Sequence, residues 1–257
     1  MIEVIEVNKT FGDRHVLKNV SFEFQKGITN LVIGESGCGK TTLLKLMVGL
    51  HSPDSGSVLY DGRDFTKMDE EDKQIVRQEI GMMFQGGALF DSMTLEENVS
   101  FPLGMFTEMN EKEKKIRVDE VLSLVKLEGR NKLFPSELSG GMKKRAALAR
   151  AIANNPRYLF CDEPNSGLDP KTAIVIDKLI KDITEQFGIT TVVITHDMNS
   201  VIEIGEKILF IHKGEKHWEG NKRNVLTDNN SELMDFVYAS EFLKNFRPDA
   251  STFKNPR

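Results

Sequence analysis

Residues 34 to 41 read Gly-Glu-Ser-Gly-Cys-Gly-Lys-Thr, between the apolar run Ile28-Thr-Asn-Leu-Val-Ile33 and the helix-like run Thr42-Leu-Leu-Lys-Leu-Met-Val48. This stretch constrains the fold tightly. A strand must deliver the chain to a loop whose glycines turn successive backbone N–H groups toward one anion, and a helix must start with its positive end at the same place. Lys40 then reaches the β- and γ-phosphates of a nucleotide, and the Thr41 hydroxyl holds magnesium. An accidental glycine-rich turn is the competing reading. The strand-loop-helix setting argues against it.

A phosphate loop says only that a nucleotide binds; the groups facing its terminal phosphate must come from elsewhere. Tyr158-Leu-Phe-Cys-Asp-Glu163 reads as a short apolar strand ending in two carboxylates. Ligands of open α/β sheets sit at the carboxyl ends of parallel strands. Because neighbouring strand residues point to opposite sides, Asp162 is expected to face magnesium through its water shell and Glu163 to face the attacking water as general base. Without the phosphate loop, Asp-Glu would read as an acidic turn after a core strand.

Leu138-Ser-Gly-Gly-Met142 opens the alanine-rich run Lys143-Lys-Arg-Ala-Ala-Leu-Ala-Arg-Ala-Ile-Ala153. Serine before a helix is a preferred cap, and the paired glycines expose backbone N–H groups. This makes a second helix start able to grip an anion. The plainer reading is a capped helix with Lys143 and Lys144 on a solvated face, and for the two lysines that reading is kept.

The phosphate loop, Phe84-Gln85, Leu-Ser-Gly-Gly, Asp162-Glu163, Ser166-Gly-Leu-Asp169 and Thr195-His196-Asp197 follow one another in an order that resembles the ABC-type ATPases, over roughly residues 1 to 225. The resemblance implies an α/β fold of the P-loop NTPase type: a mostly parallel core sheet, an N-terminal antiparallel β layer and an inserted helical subdomain. It also implies a head-to-tail homodimer around two ATP molecules with Mg2+. Each ATP would be held by the phosphate loop of one subunit and the Ser139, Gly140 and Gly141 helix start of the other, and neither subunit would hydrolyse ATP well alone.

By the same resemblance, nucleotide contacts fall on Gly34, Ser36, Gly37, Cys38, Gly39, Lys40, Thr41 and Thr42. Adenine stacks on Phe11, where tyrosine is commoner; a lone Phe near an amino terminus otherwise reads as core. Gln85 would contact magnesium and the attacking water, His196 would hydrogen-bond the γ-phosphate, and Asp169 would cross the dimer interface to align the second phosphate loop. Taken singly, Gln85 is uninformative, His196 a structural strand-end histidine and Asp169 a turn residue before Pro170. Two positions depart from the commonest pattern: Met142 stands where glutamine is usual, and Asn165 where threonine is frequent. Together with Phe84 to Leu103, the segment around Met142 is similar to the ATPase subunits of Mla-type phospholipid transporters, also called MCE-associated or toluene-tolerance transporters.

The 257 residues suit one large domain with a well-buried core, and two cysteines without metal spacing read as reduced thiols. No apolar run of about twenty residues could span a bilayer, and the start lacks a basic signal region. Any membrane role must then come through partners, and the resemblance implies a peripheral place on the cytoplasmic face of the inner membrane, beside a multi-spanning permease. For the phospholipid reading, a lipid-binding MCE-type subunit and a small regulatory subunit join it. The formal net charge of −5 argues against nucleic acid as a partner.

Ile2 to Val7 and Val20 to Phe24 alternate like antiparallel strands, and Ser57 to Gly62 carries a turn signal. The helical block runs from about 86 to 156, with a capping start at Asn110 to Glu113 and a stripe of Val118, Val121, Leu122 and Val125. Lys207 to Ile211 reads as a further strand before a hairpin at Lys213-Gly-Glu. Residues 226–257 are expected to hold a C-terminal helix, Glu232 to Phe246, and a polar tail. The apolar residues between Leu89 and Phe106 are divided between core and a groove for a permease helix. Three functions stay open: an ATPase powering phospholipid movement, the same engine for an amino acid or peptide, and a soluble ATPase acting on DNA or ribosomes.

Overall fold

Two sheets share the work of presenting the phosphate loop. The structure is a computed structural model and describes residues 1–239. β1 (Ile2–Phe11) and β2 (Arg14–Phe24) pair antiparallel, with Ile2 opposite Phe24 and Phe11 opposite Arg14. β4 (Ser55–Tyr60) lies along the other side of β1, and β5 (Arg63–Asp64) folds back on it. The β4–β5 turn is Asp61-Gly62, both at positive φ, the backbone a tight hairpin requires. Alternation buries Ile2 and Val4, and Val20, Phe22 and Phe24, as the period-two pattern predicts.

The second sheet has strand order β10-β9-β3-β8-β7-β6. Its parallel members are β3 (Thr29–Ile33), β6 (Ile80–Met83), β7 (Tyr158–Asp162), β8 (Thr190–Ile194) and β9 (Lys207–His212). β10 (Glu215–Gly220) joins antiparallel after the hairpin turn at Lys213 and Gly214, both at positive φ. Every residue of β3, β7 and β8 is buried, because helices or the first sheet cover both faces.

The two faces feed two cores. Val32, Phe160, Val192 and Leu209 pack with the first sheet and with α1 (Lys40–Met47). Leu31, Ile33, Leu159, Val193 and Phe210 pack with the remaining helices. α2 (Glu70–Gln78) links the sheets. Then come α3 (Leu95–Phe106), α4 (Glu111–Leu124) and α5 (Gly140–Ile152), which bury against one another. Val118, Val121, Leu122 and Val125 are all in that core, and Asn110 with Glu113 forms a full capping box. α6 (Pro170–Phe187), α7 (Met198–Ile204) and α8 (Ser231–Val237) complete the helical side.

Of the apolar residues between Leu89 and Phe106, Leu95, Val99 and Leu103 are core, whereas Phe90, Phe101, Met105 and Phe106 are exposed. The helix expected over Glu232 to Phe246 is shorter: it runs from Ser231 to Val237 and Tyr238 caps it, while residues 240–246 of that expectation lie outside the described residues. Among the described residues no helix is long and apolar enough to cross a membrane.

Candidate nucleotide site

β3 runs straight into the phosphate loop, and the loop into α1. Gly34 takes φ +148, and a Cβ there would stand 2.2 Å from the Ile211 carbonyl oxygen, so no side chain fits between the loop and β9. Gly39, at φ +114, caps α1 in a conformation suited to glycine. Lys40 is buried, and its ammonium donates to the carbonyls of Gly34 (2.8 Å) and Glu35 (2.9 Å), which folds the side chain back along the loop it serves. Arg14 of β2 donates to the Gly37 carbonyl at 3.1 Å. Around this loop opens a cleft of about 1190 Å³ that takes in Glu35, Ser36, Gly37, Gly39, Lys40, Thr41 and Thr42, and across it Gln85, Glu163, Ser166 and His196. Cys38 is buried, and burial pushes its thiol pKa up.

β7 and β8 end side by side at the cleft, with Asp162 opposite Ile194. The strand stops at Asp162, one residue short of the sequence expectation. Glu163 has φ +47, a left-handed backbone that a non-glycine residue adopts at a cost of roughly 1–3 kcal/mol. Strand alternation therefore does not separate the two carboxylates; the turn does. Glu163 Oε1 lies 2.9 Å from His196 Nδ1, while Asp162 points to the Thr41 hydroxyl. Burial, then the neighbouring Glu163 charge, raises the Asp162 pKa. Gln85 follows β6 and donates through Nε2 to the Ser166 hydroxyl at 3.2 Å.

Of the two lysines of α5, Lys144 corrects the expectation of a solvated face. Lys143 is only half-exposed and Lys144 is buried, with its Nζ donating to the Gln85 carbonyl and, at 3.4 Å, to the Glu163 carbonyl. Desolvation lowers its pKa. Lys144 lies on the same helix face as Ala147, Leu148 and Ala151, all buried, so the helical repeat carries it inward. Two turns on, Arg150 donates to the carbonyls of Gly87 (3.0 Å) and Ala88 (2.8 Å). α5 thus holds the Gln85 segment at two points. At its start Ser139 caps the helix by accepting from the Met142 N–H at 3.3 Å, and a Cβ on Gly141 would meet Thr172 Cγ2 at 2.5 Å.

Not every expected residue lines the cleft. Phe11 lies outside it, 44% exposed and edge-on to His51, with the Lys9 ammonium 5.3 Å from its ring centre. Ser139, Gly140 and Gly141 also lie away from it, at the start of α5. Asp169 is the N-cap of α6, accepting from the Lys171 and Thr172 N–H groups and the Thr172 hydroxyl, and these bonds hold its pKa down. Arg14, Asn165 and Ser166 line the cleft without having been expected as site residues.

The residues present fit a nucleotide with magnesium. Asp162 Oδ1 is buried without a hydrogen-bond partner beside the Thr41 hydroxyl, an arrangement of hard oxygens suited to a hydrated divalent cation. When bound, the ion would supply positive charge that offsets the negative charge of the nucleotide's phosphates.

Comparison with known proteins gives the same answer as the geometry. The family described as ABC transporter matches residues 17–166. The methionine import ATP-binding protein MetN of Geobacillus kaustophilus is 43% identical over 83% of this chain and 64% of its own length. The probable ribonucleotide transport ATP-binding protein mkl of Mycobacterium leprae is 37% identical over 92% of this chain and 68% of its own. The chain thus spans about two thirds of the length of the curated relatives it matches. Among solved structures, a dimeric ATP-binding cassette in a post-hydrolysis state, bound to ADP and Pi, superposes with a TM-score of 0.79 at 34% identity, covering 87% of this chain and 99% of that one. With strand-loop-helix, carboxylate pair and capped second helix in place, this chain belongs to the ABC transporter ATPase family and works with ATP and Mg2+.

Proposed function

We propose that the chain is the ATP-binding subunit that drives a membrane transporter, working as a head-to-tail pair at the cytoplasmic face of the membrane. The observation that carries the reading is the Glu163–His196 contact, which sets a carboxylate and an imidazole together at the ends of adjacent parallel strands, across the cleft from Lys40. Glu163 accepts a proton from the attacking water, and His196 holds the γ-phosphate through a ring nitrogen. Lys40 leaves its two carbonyls for the β- and γ-phosphates. Thr41, Gln85 and Asp162 are the residues that would hold magnesium, Asp162 through water.

In the paired form, the Ser139 to Gly141 helix start of one copy closes over the phosphate loop of the other. That explains why this start lies away from the cleft of its own chain. The dimeric description of the solved relative supports the arrangement. Phe11 is the adenine platform, and its exposed ring fits that use. Asp169 meets the partner's phosphate loop while capping α6. The ATPase unit takes in residues 1–225, with the helices of residues 86–156 inserted into it and 226–257 following. The exposed Phe90, Phe101, Met105 and Phe106 supply the apolar surface on which a permease helix docks.

For the cargo, the comparisons favour the amino-acid alternative over the phospholipid reading, because relatives named for methionine import match over most of the chain. The phospholipid reading, with its MCE-type and regulatory subunits, retains the support of the two segments around Gln85 and Met142. Isolating the complex from membranes and identifying the molecule it carries tests both. A free amino acid supports the first and a phospholipid the second; purification with no multi-spanning protein defeats the transporter reading altogether.

A further inference from the structure

Behind the cleft lies a buried polar triangle. Asn165 follows Glu163 by two residues and precedes Ser166, the partner of Gln85; Ser200 lies on α7, four residues beyond His196; Asp177 lies on α6, whose cap is Asp169. Asn165 Nδ2 donates to Asp177 Oδ1 at 2.8 Å and to the Ser200 hydroxyl at 2.9 Å, and that hydroxyl also bonds Asp177. Asp177 is 1% exposed and Ser200 fully buried, while Asn165 is 9% exposed and lines the nucleotide cleft. Three separate elements that carry groups for the terminal phosphate and the dimer face are thus tied at one carboxylate.

We propose that Asp177 is a positioning residue for ATP hydrolysis: through Asn165 and Ser200 it locks the loop after Glu163 to the helix after His196, and it does so as a carboxylate. As an anion it only accepts, which matches two donors pointing at it. With a proton it gains a donor at one oxygen, and a group that donates to that oxygen must turn away or accept instead. Asn165 Oδ1, buried without a partner, is the acceptor that can turn inward to meet the new hydrogen, at the expense of both bonds that Asn165 Nδ2 donates, to Asp177 and to Ser200. The loop that leaves Glu163 then loses its tie to α7.

The surroundings make the proton accessible near neutral pH. Burial raises the Asp177 pKa to about 6, the hydrogen bonds from Asn165 and Ser200 oppose that rise, and the charges of Asp197 and Glu203 on the α7 side add to it. Cys161 of β7 also faces Asp177, and burial there pushes the thiol up, so it stays uncharged. A buried carboxylate that disfavours its own ionised form is an expensive way to fill a core position, and it sits beside a reaction centre.

The inference rests on Glu163 and His196 as the hydrolytic pair, which Glu163→Gln tests separately. Its own test compares the full-length protein with Asp177→Asn, measuring kcat and KM for MgATP at pH 7.5 and 5.5. The wild-type to variant ratio of kcat is expected to be at least about fivefold at pH 7.5 and to fall to less than about half of that value at pH 5.5, with KM unchanged within about twofold. Should Asp177→Asn fold poorly, Ser200→Ala removes one tie alone and is expected to give the same pH-dependent ratio, smaller in size. A ratio of one at both pH values, or one that is equally large at both, overturns the proposal, because packing alone would not follow the proton.

Discussion

His196 Nδ1 stands 2.9 Å from Glu163 Oε1, and this contact joins the ends of two neighbouring parallel strands over the phosphate loop. Glu163 reaches it from a left-handed backbone, which turns the carboxylate out of the strand and toward the cleft. Replacing it with glutamine keeps the shape and the hydrogen-bonding capacity but removes the base. Glu163→Gln is expected to retain ATP binding and lose at least about 10² in turnover. Nucleotide affinity and steady-state hydrolysis measured together check this, and normal turnover would refute the assignment.

Lys40 has a different failure pattern. Its ammonium serves ground state and transition state alike, so Lys40→Ala is expected to weaken both ATP affinity and hydrolysis. A fluorescent nucleotide titration beside the rate assay separates this from the Glu163 effect.

Gly141 offers a sterically specific test. A Cβ at this position would meet Thr172 Cγ2 at 2.5 Å, and Thr172 in turn bonds Asp169 through its hydroxyl. Gly141→Ala should therefore lower hydrolysis by shifting the start of α5 against α6. Adding Thr172→Ser removes the obstructing methyl and keeps the hydroxyl, so the double variant should recover most of the rate. No recovery would place the defect elsewhere than in this contact.

Asp177 makes a prediction for stability as well. Its folded pKa of about 6 lies above the ordinary value of 3.8, so the folded protein holds the proton more tightly and stability falls as pH rises between those values. Above pH 6 the full cost remains, at most about 3 kcal/mol. Asp177→Asn should accordingly gain stability over wild type at pH 7.5 and show little gain near pH 4. Urea midpoints at the two pH values measure it, and a gain that is larger at the lower pH would contradict the sign.

The sequence and the structure part company in instructive places. β3, the phosphate loop and α1 were legible because an apolar run, a glycine pattern and a helical run occur in order, with each serving one anion. The stripe of Val118, Val121, Leu122 and Val125 was legible because periodicity reports burial directly. Lys144 was misjudged because charge was weighed above position, although Ala147, Leu148 and Ala151 at helical spacing marked its face as buried. The Asn165–Asp177–Ser200 triangle could not be read at all. Its members come from three elements that meet only once the sheet order is fixed, and no local spacing relates them.

The central claim is that each reaction centre is built from two copies, with the phosphate loop from one and the Ser139 to Gly141 start from the other. Lys40→Ala and Ser139→Arg homodimers should each be nearly inactive. Mixed in equal amounts, they should form some dimers in which one centre has both an intact loop and an intact helix start, recovering up to about a quarter of the wild-type ATPase rate. A mixture as inactive as either parent, with mixed dimers shown to be present, would contradict the account.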